Sequence, residues 1–180
     1  MFAKAKLLVW YSMSAHRILQ LGDSLLREKS IAVGNAAETL VDLRDTLHAF
    51  QQAHGFGRGI SAVQIGKLER VVYIEFGSAS YSLINPEFTK LSADKFTLWD
   101  DCFSFPDLLV RLERSMSVEV HYADELGRDR VLNAAGALSE LLQHEMDHLD
   151  GVLAVDRALD PYSLATREEW LRQKVRKAAD

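Results

Sequence analysis

One cysteine, Cys102, is all that this 180-residue chain holds, so no internal disulfide is expected and a reducing cytoplasm is the simplest setting. Positive charge is not in excess: 21 Lys and Arg stand against 26 Asp and Glu, a net charge of -5, which argues against DNA or another polyanion as the main substrate. No apolar run approaches the length of a membrane span. Internal repeats and low-complexity linkers are missing too, so neither a solenoid nor a string of tethered modules is expected. What remains is ordinary globular usage, 48% apolar and 26% charged, at a length that buries a full core without staples. Near the start, Lys4 and Lys6 precede Leu7, Leu8, Val9 and Trp10, an apolar run too short for a signal peptide. Residues 1–12, ahead of a second methionine at Met13, are therefore expected to be an N-terminal extension or, equally, a poor targeting segment, and residues 13–180 a single domain.

Within that domain, Leu40, Leu43, Leu47 and Phe50 recur at helical spacing across residues 36–53. Asn35 with Glu38 three later reads as a cap, and Gly55 as a stop. Two β-rich runs, residues 71–76 and 81–85, flank Gly77-Ser78-Ala79-Ser80 and read as a hairpin. A second hairpin is expected from Val118, Val120 and Tyr122, a turn at Leu126-Gly127-Arg128-Asp129, and a strand near Val131. Residues 137–150 form a helix with Leu138, Leu141, Leu142 and Leu149 toward the core, stopped by Gly151. A last helix is expected from Pro161 onward. Strands cluster in the middle and helices at the ends without βαβ alternation. That pattern implies an α+β fold with mainly antiparallel sheets around a central histidine-bearing helix, with N- and C-terminal helices.

The chemistry concentrates in Gln143-His144-Glu145-Met146-Asp147-His148-Leu149-Asp150-Gly151. On a helix His144 and His148 lie one turn apart on nearly the same face, as two ligands of one metal ion must. Glu145 sits about 100° round from His144, where it can address a water on that metal without binding it. A catalytic metal usually takes a third protein ligand. Cys102 is one candidate, in the aperiodic stretch Trp99 to Pro106; Glu168 and Glu169, about twenty residues past the second histidine, are the others, and spacing alone does not choose. Gly57-Arg58-Gly59-Ile60-Ser61-Ala62-Val63-Gln64-Ile65-Gly66 is glycine-dense. It permits close backbone approach to a ligand, and the Gln64 amide can donate to a developing oxyanion. No Lys-Ser or Lys-Thr follows the glycines, so it is not a phosphate loop.

In this order, the glycine stretch ending at Gln64, the segment Cys102-Phe103-Ser104 and the two-histidine helix resemble the peptide deformylases. The resemblance extends to Ile18 through Asp23 with Leu25, Leu26 and Arg27, and to Ile84-Asn85-Pro86, covering about residues 17–157. It implies a hydrolase that removes the N-formyl group from the initiator methionine of new polypeptides and releases formate. It also implies Cys102, His144 and His148 as metal ligands, Glu145 as general base turned acid, and Gln64 with the Phe103 backbone N–H as oxyanion donors. Gly59 and Ile60 would meet the substrate backbone. The metal implied is ferrous iron, with zinc, nickel or cobalt as substitutes.

Several positions depart from the family pattern. Asp100-Asp101 stands where the family usually has Glu-Gly, Arg58 where an aliphatic residue is common, Ser61 for alanine, Val63 for proline, and Leu109 for arginine, with Arg111 and Arg114 close by. Glu140, one turn before His144, occupies an apolar position of the methionine pocket. Arg58 and Glu140 are expected either to pair across the cleft or to recognise a polar group, with Asp101 beside them on the substrate side. Asp147 and Asp150 are expected to be solvated. Two alternatives stand beside the deformylase: a zinc peptidase completed by Glu168 or Glu169, and a metal-binding paralogue that has lost turnover. Arg167, Arg172, Lys174, Arg176 and Lys177 in the last helix suit either ribosomal RNA or an ordinary charged surface. Monomer and dimer are both open.

Overall fold

The computed structural model describes residues 15–179; the expected N-terminal extension, residues 1–12, lies outside the described residues. Helix α1 (Ala37–His54) buries Leu40, Leu43, Leu47 and Phe50, the stripe its spacing predicts. It ends at Gly55, which turns left-handed at φ 77° and returns its N–H to the Gln51 carbonyl. The expected cap is not formed. Ala36 occupies the cap position, Asn35 Oδ1 accepts from the Ala37 N–H at 3.0 Å, and Glu38 points to solvent beside Lys67. Asparagine thus makes a turn just ahead of the helix, which satisfies an N–H without the reciprocal carboxylate.

Strands β1 (Gly59–Ser61), β2 (Val71–Phe76), β3 (Ala79–Leu91), β6 (Ser117–Ala123) and β7 (Asp129–Ala135) form one antiparallel sheet in the order β1-β2-β3-β6-β7. Both expected hairpins are in it. β3 continues well past residue 85 because its pairing with β6 shifts register between Ile84 and Glu87. An irregularity of that kind lets Pro86, which has no N–H to offer, stay within a strand. Asn85 sits there at φ 51° and ties the bend down, its side chain bonding both the N–H and the carbonyl of Val33.

A second antiparallel sheet, β4 (Lys95–Asp101), β5 (Leu108–Ser115) and β8 (Leu164–Thr166), runs in that order. The end of β4, Trp99 to Asp101, falls in the stretch read as aperiodic, and Cys102 opens the connection from β4 to β5. The last helix, α3 (Arg167–Ala179), begins later than Pro161, because residues 164–166 add β8 to the free edge of β5 instead. Helix α2 (Ala137–Leu149) packs Leu142, Met146 and Leu149 against Val72, Ile74, Leu83 and Val120 of the larger sheet. Gly151 follows it at φ 72°, with the Arg27 carbonyl oxygen pressed against the place where a Cβ would stand, so any side chain would collide with backbone. The architecture is α+β with antiparallel sheets, as the sequence implies. No helix among the described residues is long and apolar enough to cross a membrane.

Candidate active site

Helical spacing turns His144 and His148 to one side of α2, where both are buried. The His144 Nδ1–H donates to Asp100 Oδ2 at 3.0 Å, and Asp100 also accepts from Arg114 Nη2 at 3.0 Å. Arg114, itself buried, continues to Asp147, which takes Arg157 Nε and Nη2 at 2.5 Å each. Asp147 is therefore part of a charge chain rather than a solvated residue. Such a partner fixes the tautomer of a ligating histidine and leaves Nε2 for a metal. Burial opposes the Asp100 charge, but His144 and Arg114 outweigh it and hold its carboxyl down at about 2. In His144 burial is likewise outweighed by Asp100, which raises the imidazole well above its usual range. His148 goes the other way: burial, then the His144 charge, keep it neutral.

Cys102, at the end of β4, brings Sγ to 3.1 Å from His148 Nε2. One donor atom each from Cys102, His144 and His148 lies within 4.8 Å of the others, and all three residues are buried. One cysteine sulfur and two histidine nitrogens make a donor set that suits a divalent ion such as zinc or ferrous iron. His148 Nδ1 is buried and has no hydrogen-bond partner among the described residues. Glu168 is exposed and Glu169 pairs with Arg172, so the alternative third ligands lie on α3 rather than in this cluster. Asp100, Glu140 and His144 make a second close grouping. Its Asp100 is already engaged by Arg114.

Glu145 is enclosed by the glycine stretch. Ser61 Oγ lies 2.6 Å from Glu145 Oε2 and 2.8 Å from the Glu145 carbonyl oxygen. A Cβ on Gly59 would come within 2.7 Å of Glu145 Oε1, so glycine is what leaves room for the carboxylate. Burial pushes the Glu145 carboxyl up to about 7, where a general base works best near neutral pH. Gln64 divides its amide. Oε1 accepts from the Ser61 N–H at 2.9 Å and caps a short 3-10 turn, while Nε2 faces Cys102 Sγ at 3.6 Å and Ser104 Oγ at 3.3 Å. Turn-capping and a donor aimed at the cluster are thus compatible in one side chain.

A cavity of about 340 Å³ joins these groups, lined by Arg58, Gln64, Asp101, Cys102, Phe103, Glu140, His144 and Glu145 among others. Phe103 stacks on Phe50 at 3.9 Å between ring centroids, and Gly57 at φ 132° has no room for a Cβ beside the Phe103 ring. Arg58 Nη2 donates to Glu140 Oε2 at 2.9 Å, the pairing option of the two expected. Burial foremost raises the Glu140 carboxyl, Asp100 adds to this, and Arg58 opposes it. Ile60 is fully buried in the core with Leu43 and Leu47 of α1 and is not on the lining of this cavity, so the structure does not bring that expected contact to the substrate side.

Three participants escape sequence reading. Ser61 shows in the sequence only as a variant position, Arg114 is a buried charge in phase with apolar Val110 and Leu112 on β5, and Arg167 reaches back from α3. Its Nη2 meets Asp101 Oδ2 at 2.6 Å, and its guanidinium lies 4.3 Å over the Phe56 ring.

The family model described as polypeptide deformylase matches residues 15–163. A peptide deformylase of Prochlorococcus marinus is 37% identical over 150 residues, covering 80% of this chain and 73% of its own. That of Pelotomaculum thermopropionicum is 32% identical, over 87% of this chain and 100% of its own. Among solved structures, a peptide deformylase from Synechococcus elongatus in complex with actinonin superposes with a TM-score of 0.77 at 32% identity, covering 91% of this chain and 87% of that one.

Proposed function

Because this chain belongs to the polypeptide deformylase family, we propose that Cys102, His144 and His148 hold one divalent metal ion and that Glu145 is the catalytic base beside it. The reaction is hydrolysis of the N-formyl group from the N-terminal methionine of newly synthesised polypeptides, with release of formate. The observation that carries the residue assignment is a cluster of three buried donor atoms, two of whose residues, Cys102 and His144, line one cavity together with Glu145 and Gln64. On this reading α2 is the central element of the fold, since it supplies both histidines and the base.

A divalent ion held by Cys102, His144 and His148 would supply Lewis-acid polarisation of the formyl oxygen and lower the pKa of the attacking water. Glu145 takes the proton from the attacking water and returns it to the leaving amine nitrogen, base first and acid afterwards. Gln64 Nε2 and the Phe103 backbone N–H donate to the oxygen on which negative charge develops. β1 is an edge strand of its sheet, so Gly59 offers backbone hydrogen bonds to an extended peptide. Asp100 and Arg114 hold the His144 ring so that Nε2 keeps its aim.

Ferrous iron is the metal we assign, with zinc, nickel or cobalt as replacements. A thiol ligand and a nascent-chain substrate suit the reducing cytoplasm. Basic residues of α3 extend the reading to a ribosome contact. Arg167 is turned inward to Asp101 and Arg172 is held by Glu169, which leaves Lys174 and Arg176 as the main candidates. Formate release from formyl-Met-Ala-Ser by anaerobic iron-loaded protein, with Glu145→Ala as control, tests reaction, metal and base together. No formate from any formylated peptide would favour the paralogue without turnover. Cys102→Ala that keeps a full complement of metal would remove the cysteine from the site.

A further inference from the structure

The wall of the cavity beside the metal-ligand cluster is an ion pair. Glu140 lies one turn before His144 on the same side of α2, 4% exposed, and accepts from Arg58 at 2.9 Å. Arg58 comes from the opposite wall, between Gly57 and Gly59, with 42% of its side chain exposed. Both line the same cavity as Cys102, His144 and Glu145. A formyl carbon placed at that cluster puts the adjoining first side chain of the peptide into this cavity as well. Phe56, Phe103 and Leu141 offer it apolar surface, while Arg58 and Glu140 offer it a donor and an acceptor side by side.

The chemistry of that pair sorts the side chains that can enter. An apolar one strips water from both charged groups and returns no hydrogen bond. A basic one competes with Arg58 for a carboxylate that already has its partner. An acidic one meets Glu140, with Asp100 and Asp101 also on the lining. A neutral amide returns both bonds, its NH₂ to Glu140 and its carbonyl to Arg58.

Resting on the deformylase reading and narrowing its substrate, we propose that the Arg58–Glu140 pair determines specificity. It opens the first-residue pocket to formylated peptides whose first side chain is neutral and hydrogen-bonding, of glutamine type, and weakens the preference for methionine. A site built to hydrogen-bond a side chain discriminates through the polar groups it leaves unpaired when the wrong one binds.

The test compares formate release from formyl-Met-Ala-Ser, formyl-Gln-Ala-Ser and formyl-Lys-Ala-Ser by the full-length, metal-loaded protein. The expected wild-type kcat/KM for the glutamine peptide equals or exceeds that for methionine. Glu140→Leu shifts the ratio toward methionine by about tenfold or more. Arg58→Ala, at a half-exposed position that does not carry the fold, raises the lysine peptide relative to methionine by about tenfold, because the substrate ammonium takes the vacated place at Glu140. That variant decides the matter if Glu140→Leu fails to fold. Calorimetric binding of the products Gln-Ala-Ser and Met-Ala-Ser follows the same order. A strong wild-type preference for methionine, with ratios unchanged in the variants, overturns the proposal while leaving the deformylase reading intact. Protein with full metal content that releases formate from none of the three peptides overturns both.

Discussion

On one side of α2, Leu142, Met146 and Leu149 meet Val72, Ile74, Leu83 and Val120 of the five-stranded sheet. On the other, His144 and Asp147 meet Asp100 and Arg114 of the three-stranded sheet. The apolar side is non-directional, and each fully buried leucine or methionine contributes about 1.5–3 kcal/mol wherever it finds a close-packed neighbour. The charged side contributes little net stability, since desolvation of buried ions offsets most of their attraction. What it supplies is aim: a histidine ring held in one tautomer and one orientation. The helix is anchored by one side and made chemically useful by the other.

The sharpest separation of the two is Glu145→Gln. Formate release is expected to fall about a thousandfold, with metal content and unfolding midpoint unchanged; near-normal turnover would remove the glutamate from its assigned role. Next is Arg114→Met, which leaves the buried Asp100 carboxylate with His144 alone and takes one of two arginines from Asp147. Urea unfolding should register a loss of about 3–5 kcal/mol, and metal affinity should drop about 10–100-fold as His144 loses its support. If affinity holds, the charged side is scaffolding only. On the apolar side Leu142→Ala should cost about 3 kcal/mol from lost burial and the cavity left behind, without change in metal affinity once the protein is folded. A parallel loss of metal would show that the two sides are not separable. The smallest effect expected is for Ser61→Ala. Loss of one hydrogen bond to the Glu145 carboxylate, about 1 kcal/mol, should lower kcat roughly fivefold with KM little changed, and a fall confined to KM would speak against a role through Glu145.

The same division explains how much could be read from the sequence. α1 and the two hairpins follow the apolar-phase rules, and their stripes and alternations are plain. β4 and β5 follow them too, but their inward phases run Phe96, Leu98, Asp100 and Val110, Leu112, Arg114. A carboxylate and a guanidinium in core positions break the pattern by which a strand is recognised, so the stretch before Cys102 reads as aperiodic. The site was partly legible for the opposite reason. His144, Glu145 and His148 are close in sequence, and their juxtaposition depends only on the turn of a helix.

Two polar contacts lay beyond that reach, and a third was foreseen only as one of two options. Ser61 meets Glu145 across 84 positions and Arg167 meets Asp101 across 66, while Arg58 meets Glu140 across 82. Each joins side chains whose separation along the chain says nothing about distance in space.

By itself, then, the sequence determined the residues that share one helix face, the globular composition and the antiparallel hairpins, all of which are local consequences of composition and backbone geometry. The grouping of Cys102 with the two histidines, which spacing alone left open, the charge chain behind His144 and the pairing of Arg58 with Glu140 belong to the tertiary structure. Sheet pairing brings β4 and β5 alongside α2, and no local periodicity encodes where one element's buried charge will find its partner on another.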